Sequence, residues 1–387
     1  MELNERVAGI APSVTLAIDA MAKSLVAAGE KVCGFGAGEP DFDTPEHIKE
    51  AAAKALREGK TKYAPNDGIV ELRAAIADKL SQENKLSYKP EQILVSNGAK
   101  HSLFNIFMAL CRAGDEVIIL APFWLSYPEM VRVAGGVPVF VRGLDAHGLK
   151  ITPVQLEAAI TPRSKALVIN SPSNPTGMVY SREELRALAE TAVKHNLTIV
   201  SDEIYERMVY DGVEAVSVGA LSPEIFKHTI TVNGFSKPYA MTGWRLGYFA
   251  GPSEIVKAAS ALQSHSTSAP NTFAQYGAVA ALRGSQDCVV KMVRAFDERR
   301  QYLYKRLTGM KGITCSKPSG AFYVFPNIAS FGLTSIDFSR KLLEHEKMTV
   351  VPGLPFGADE NVRLSYACSM ANIEEGMMRL ERFTATL

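Results

Sequence analysis

Residues 166–205 read ALVINSPSNPTGMVYSREELRALAETAVKHNLTIVSDEIY, and the fold follows from this stretch. An apolar run at 166–170 gives way to a turn containing Pro172, Pro175 and Gly177. A helical segment covers 182–195, and a second apolar run at 197–201 ends on Asp202. Strand, helix and strand in that order predict a crossover unit of a parallel sheet, hence an α/β fold.

The alternation continues on both sides. Helices are predicted over 46–58, 69–83 and 99–111, the first with Thr44 as N-cap and Pro45 at its first position. Further strands are predicted at 93–96, 116–121, 137–141, 229–233 and 246–250. With 166–170 and 197–201 they make a mostly parallel seven-stranded sheet. Several are continuous apolar or β-branched runs, as strands covered on both faces require. Near 285 the pattern changes to a charged helix over 286–308, then strands near 321–325, 349–351 and 362–366. The expected division is a large domain at 46–284 and a smaller α+β domain made of 1–45 and 285–387.

Composition narrows the function. Of 387 residues, 47% are apolar and 21% charged, an ordinary globular balance. Lys and Arg number 42 against 41 Asp and Glu, so no global charge favours nucleic acid or an anionic membrane. No apolar run approaches the ~18 residues of a membrane span. The opening MELNERVAGIAPS lacks the apolar core of a secretory signal, so a cytoplasmic location is expected. Cys33, Cys111, Cys288, Cys315 and Cys368 are widely spaced without a CxxC, and are expected to be buried, inert thiols. His345-Glu346 begins a zinc-type motif, but Thr349 stands where the second histidine belongs. No metal is expected.

Gly34-Phe35-Gly36-Ala37-Gly38 resembles a dinucleotide loop. That loop needs a helix to begin at once, and Pro40 and Pro45 follow instead. The segment is read as a turning loop. Ser96-Asn97-Gly98-Ala99-Lys100 joins a strand to a helix start, where free amides form an anion site. Asn170–Gly177 and Asp202 end strands, where α/β proteins bind ligands. Ser236-Lys237 follows the run 229–233, and Arg245 lies eight residues on. Each feature alone is ordinary turn, cap or surface chemistry. Their succession at strand ends, with Trp124 and Tyr205 among them, is not.

In that combination the chain resembles the fold-type I pyridoxal-phosphate enzymes of the class I aminotransferase family, in its bacterial-type aspartate branch. The segments Ala37–Phe42, Tyr63-Ala64-Pro65, Asn170–Gly177, Ser201–Tyr205 and Ser236–Arg245 carry the likeness, which spans essentially the whole chain. The resemblance implies pyridoxal 5′-phosphate as cofactor, amino-acid and 2-oxo-acid substrates, and a homodimer with shared sites.

It also implies roles. Lys237 resembles the lysine whose amine condenses with the cofactor aldehyde and later carries the proton. Asp202 resembles the carboxylate that keeps the pyridine nitrogen protonated. Asn174 and Tyr205 match the partners of the ring oxygen, and Trp124 the aromatic on the ring face. Arg245 looks like the phosphate arginine, aided by Asn97, Gly98 and Ala99. Tyr63 matches a tyrosine reaching the phosphate from the neighbouring subunit. Arg363 and Gly38 match the holders of the substrate α-carboxylate. Lys100, Ser13 and Thr15 match the site for a distal carboxylate. Relatives carry cis peptides before the prolines equivalent to Pro122 and Pro175.

Two positions depart from some relatives: Gly234, where certain branches place serine, and Ala11, where prephenate-accepting branches place a basic residue. The expected reaction is amino transfer from aspartate to 2-oxoglutarate by alternating half-reactions. An aromatic, alanine or prephenate aminotransferase and a carbon–sulfur lyase keep the same cofactor residues and stay open. A non-catalytic binding protein on this fold would have lost Lys237, Asp202 or Arg363.

Overall fold

The parallel unit predicted at 166–205 lies inside a seven-stranded sheet in the computed structural model of the chain, which describes residues 4–10, 14–144 and 148–387. A short first strand, β1 (Cys33–Gly34), lies outside that sheet. The sheet is built from β2 (Ile93–Ser96), β3 (Glu116–Ala121), β4 (Val137–Arg142), β5 (Ser164–Asn170), β6 (Thr198–Asp202), β7 (Thr229–Gly234) and β8 (Gly247–Ala250). Their spatial order is β2-β8-β7-β6-β5-β3-β4. Strands β4, β3, β5, β6 and β7 pair in parallel, and β8 runs antiparallel to both β7 and β2.

Side-chain alternation explains the layers. Val117, Ile119, Val168, Val200 and Val232 share one core with Leu103, Phe107 and Val131 from helices Ala99–Leu110 and Ser126–Val133. Their neighbours Ile118, Leu167, Ile169 and Ile199 point the other way, onto Leu185, Leu188 and Ala189 of helix Arg182–Lys194. Period-two strands therefore need apolar residues at every position here. That helix starts on a capping box: Ser181 Oγ accepts from the Glu184 amide at 3.2 Å, and Glu184 Oε2 accepts from the Ser181 amide at 2.7 Å.

A second group of strands covers the carboxyl ends. They are β9 (Tyr323–Val324), β10 (Met348–Thr349), β11 (Val351–Pro352) and β12 (Val362–Ser365). β1 pairs in parallel with β10, and β11-β12-β9 form an antiparallel sheet. Helices Asp287–Thr308, Ser335–Glu346 and Met370–Thr384 pack on them around Phe296, Phe338, Tyr366 and Phe383. Helix Val14–Ala27, not foreseen in the sequence, lies beside β11.

Three expectations change. Thr44 is not the N-cap of helix Glu46–Arg57: Pro45 is, without a side-chain cap bond. The Thr44 hydroxyl instead donates to the Ala240 carbonyl at 2.7 Å and accepts from Trp244 Nε1 at 2.9 Å. The single strand expected at 349–351 is two short ones, β10 and β11. Of the five free cysteines only Cys33 is fully buried. Desolvation still pushes four of the thiols up, those of Cys33, Cys111, Cys315 and Cys368, to about 11 for Cys111 and Cys368. The peptide bonds before Pro122 and Pro175 are cis, as is that before Pro172. Among the described residues no helix is long and apolar enough to cross a membrane.

Candidate active site

A cavity of about 680 Å³ opens at the carboxyl ends of β5, β6 and β7, under the β9–β12 sheet. Three runs of chain deliver its floor. The turn after β5 brings Asn174, the end of β6 brings Asp202, and the loop after β7 brings Lys237.

Lys237 is half-buried, and its Nζ donates to the Gly38 carbonyl. Burial pushes its pKa down to about 8. Glu39 and Asp202 pull against that shift, while Arg363 and Arg245 add to it. A lysine near 8 is partly neutral at ordinary pH and can act as nucleophile or base. Asp202 is 4% exposed. Its Oδ2 accepts from the Tyr127 hydroxyl at 2.6 Å and its Oδ1 from the Ile204 amide at 3.2 Å. Burial raises its pKa, and those two bonds oppose the rise. Asn170 braces the neighbourhood: Nδ2 donates to the Asp202 carbonyl at 3.0 Å, and Oδ1 accepts from the Asn174 amide at 2.9 Å.

Arg363 enters from β12. Its Nη1 donates to Asn174 Oδ1 at 3.0 Å and its Nη2 to the Gly36 carbonyl at 2.8 Å. Nε is buried without a partner. The guanidinium stacks 4.5 Å over Tyr323 and 5.2 Å over Phe356. Burial lowers its pKa, the direction expected of a cation held without a carboxylate. An incoming carboxylate would satisfy both the charge and the orphan donor.

At the other end, Gly98 opens helix Ala99–Leu110 with φ +86°. Arg245, at φ +53°, places Nη1 2.9 Å from the Thr242 carbonyl and Nη2 3.5 Å from the Asn97 carbonyl. A Cβ at Gly247 would come within 2.1 Å of the Ala99 amide nitrogen, so the helix start rests directly on β8. The Asn97 amide donates to His101 Nδ1 at 3.3 Å and the Gly98 amide to the Ser96 carbonyl at 2.7 Å, so an anion cradle here rests on the Arg245 guanidinium and the next amides of the helix start, from Ala99 on. Gly234 is less constrained: a Cβ would meet Ile204 Cδ1 and the Gly247 Cα at 3.1 Å, so a serine there would need its neighbours to shift by a few tenths of an ångström.

Trp124 lines the cavity edge-on to Tyr127, with ring centroids 5.2 Å apart. Lys100 Nζ sits 5.0 Å from the Trp124 ring. Desolvation, then Arg245, pull its pKa down. Gly38 and Ala99 also line the wall. Tyr63 does not: it is 97% exposed on a loop beside a second hollow of about 380 Å³. Ser13 lies outside the described residues. Thr15 falls in helix Val14–Ala27, and its side chain lies outside them.

Among the wall residues to which the sequence reading gave no role are Lys23, Glu39, Tyr127, Thr242 and Tyr323. Tyr127 stands three residues after Trp124, a helical spacing that could have flagged it.

The comparisons agree with this geometry. Residues 30–380 match the family model described as aminotransferase class I and II. An aspartate aminotransferase of Geobacillus stearothermophilus is 52% identical over 99% of both chains. A probable aspartate/prephenate aminotransferase of Aquifex aeolicus is 50% identical over 98% of both. The solved aspartate aminotransferase of Thermus thermophilus with maleate superposes with a TM-score of 0.95 at 48% identity, covering 99% of each chain. By sequence and by fold, this chain belongs to the aminotransferase class I and II family.

Proposed function

We propose that this protein is an aspartate aminotransferase that uses pyridoxal 5′-phosphate and returns the amino group to 2-oxoglutarate. One observation carries the reading: a single cavity joins an anion cradle, a buried carboxylate, a lysine lowered to about 8 and an arginine with an orphan donor. The shape of that set fits the cofactor. Arg245 with the amides of the helix start from Ala99 on, in the turn Asn97-Gly98-Ala99, suits a phosphate, and Trp124 suits a flat ring. The Asp202 carboxylate suits a protonated ring nitrogen.

The bound cofactor supplies an electron sink for the pair left when the substrate Cα loses its proton. Asp202 holds a proton on the ring nitrogen, and Tyr127 orients that carboxylate. Tyr205 and Asn174 hydrogen-bond the ring oxygen. Lys237 Nζ would anchor the cofactor and, in its neutral form, would take the proton from Cα. Arg363 and Gly38 hold the α-carboxylate. Lys100, with Ser13 and Thr15, receives the distal carboxylate, a looser clamp than a bidentate arginine. The exposure of Tyr63 supports a homodimer in which it completes the partner's phosphate site. A large domain at 46–284, a small one at 1–45 plus 285–387, and a cytoplasmic location complete the proposal.

Half-reactions test it. Aspartate, glutamate, phenylalanine, alanine and arogenate are each mixed with the loaded protein, and the fading of the cofactor's visible band is timed. Aspartate and glutamate should lead. The Aquifex relative's name favours a second reading, prephenate transamination, and a leading arogenate rate would select it instead.

A further inference from the structure

Taking Tyr205 as the cofactor's ring-oxygen partner, as proposed above, we infer that Tyr323 is a positioning residue that aims the Tyr205 hydroxyl and floors the Arg363 clamp. Tyr323 begins β9, and Ser365 of β12 pairs with it, which sets Arg363 two residues along the facing strand. Its side chain is wholly buried. The hydroxyl lies 2.9 Å from the Tyr205 hydroxyl, and the ring lies 4.5 Å beneath the Arg363 guanidinium. A Cβ at Gly38 would lie 3.5 Å from the same hydroxyl. One side chain thus touches a residue assigned to the cofactor and two assigned to the substrate carboxylate.

The bland alternative is a core tyrosine whose hydroxyl is incidental. The neighbouring tyrosines show what that looks like. Tyr210 and Tyr366 also pair hydroxyl to hydroxyl, but both are anchored on the Ala321 carbonyl, at 2.5 and 3.2 Å. Tyr323, two residues on, turns away from the backbone to another hydroxyl. A hydroxyl has one proton to give and two lone pairs to receive. If Tyr323 donates to Tyr205, the single Tyr205 proton is left for the cavity and the ring oxygen there. Without the Tyr323 hydroxyl that orientation has no enforcer. Burial pushes both phenols up, Tyr205 well above its ordinary range, so both protons are present at working pH. The ring has a separate task. A guanidinium buried without a carboxylate gains from an aromatic face beneath it.

The two tasks separate by substitution. Tyr323→Phe keeps the ring and removes the hydroxyl; Tyr323→Leu removes both. The first readout is the pH midpoint at which the bound cofactor's visible absorbance titrates. A weaker hydrogen bond to the ring oxygen leaves its negative form less stabilised, which raises that midpoint. Tyr323→Phe should raise it by about 0.3–1 unit, and Tyr205→Phe by more. In the Tyr205→Phe background the Tyr323 change should add nothing, because its effect passes through Tyr205. The second readout is maleate affinity: nearly unchanged in Tyr323→Phe, roughly 10-fold weaker in Tyr323→Leu. Thermal unfolding checks that each variant is folded, and the Phe change removes only one oxygen. A midpoint moved by Tyr205→Phe but not by Tyr323→Phe overturns the positioning role while leaving the function intact. An additive shift in the double variant overturns it too. Failure of Tyr205→Phe to move the midpoint removes the assignment of Tyr205, and the inference with it.

Discussion

The Arg245 guanidinium fills the space that a side chain at Gly98 would need: a Cβ there would lie 2.6 Å from Nη2. The backbone at Gly98 also has φ +86°, which an L side chain rarely adopts. Gly98→Ala should therefore displace Arg245 and strain the helix start together. Cofactor affinity, measured by equilibrium dialysis, should fall roughly 10-fold or more, on the order of 1–3 kcal/mol. An unchanged affinity would mean that neither group holds the phosphate.

Lys237 titrates near 8 instead of its ordinary 10.5. Its neutral form is the nucleophile, so cofactor capture by the apoprotein should accelerate with pH, with a midpoint near 8. The stability sign follows from proton counting. Between 8 and 10.5 the unfolded chain binds the proton and the folded chain does not. The apoprotein should gain stability over that window relative to Lys237→Met. Stopped-flow absorbance and thermal melts across pH test the two halves. A capture rate flat from pH 7 to 9, or a borohydride-reduced adduct on another lysine, would end the assignment.

Lys100→Ser should lower kcat/KM for aspartate by roughly 10–100-fold, about 1.5–3 kcal/mol, the scale of a charge-assisted contact. Alanine lacks the distal carboxylate and should be almost unaffected. Equal losses for both amino acids would assign Lys100 to the cofactor or the fold.

Directly behind Asp202, Glu203 is 3% exposed and accepts from Ser201 at 2.8 Å, Ser217 at 2.5 Å and the Val218 amide at 3.2 Å. Burial, then the charge of Glu206, push it up to about 7 against those three bonds. Glu206 is itself paired with the buried Lys79. A carboxyl raised in the folded state stabilises fully below its ordinary 4.5 and loses that stabilisation as pH climbs through 7. Relative to Glu203→Gln, the wild type should lose roughly 1–3 kcal/mol between those limits. Denaturant melts at stepped pH measure it. Parallel curves would show that Glu203 is not protonated in the folded chain.

The sheet was legible because several of its strands are continuous apolar or β-branched runs, separated by segments of helical period. Asp202 and Lys237 were legible in combination: each alone suits a cap or a surface, and only their succession at strand ends with Asn174, Tyr205 and Arg245 carries the resemblance. Tyr127 and Tyr323 were not. A tyrosine in an apolar window reads as core, and only the fold reveals where its hydroxyl points. Thr44 misled for the opposite reason: its hydroxyl suits a cap, but Ala240 and Trp244, nearly 200 residues away, claim it. Tyr63 gains no partner from the fold of one chain, where it stays 97% exposed.

The reversed strand β8 has a consequence for how this site can change over time. In a wholly parallel sheet the chain leaving β7 would cross a whole face before re-entering, and residues on either side of the crossover could drift apart freely. Here the chain turns back at the rim, so Lys237 and Arg245 hang from one short tether fixed to the sheet at both ends. Their separation is a property of loop length as much as of residue identity. A single inserted or deleted residue between them would shift one anchor against the other. The segment 238–244 is therefore fixed in count as well as in the buried Tyr239 and Met241 and in Trp244, which bonds Thr44, a constraint of length that falls on evolution and engineering alike.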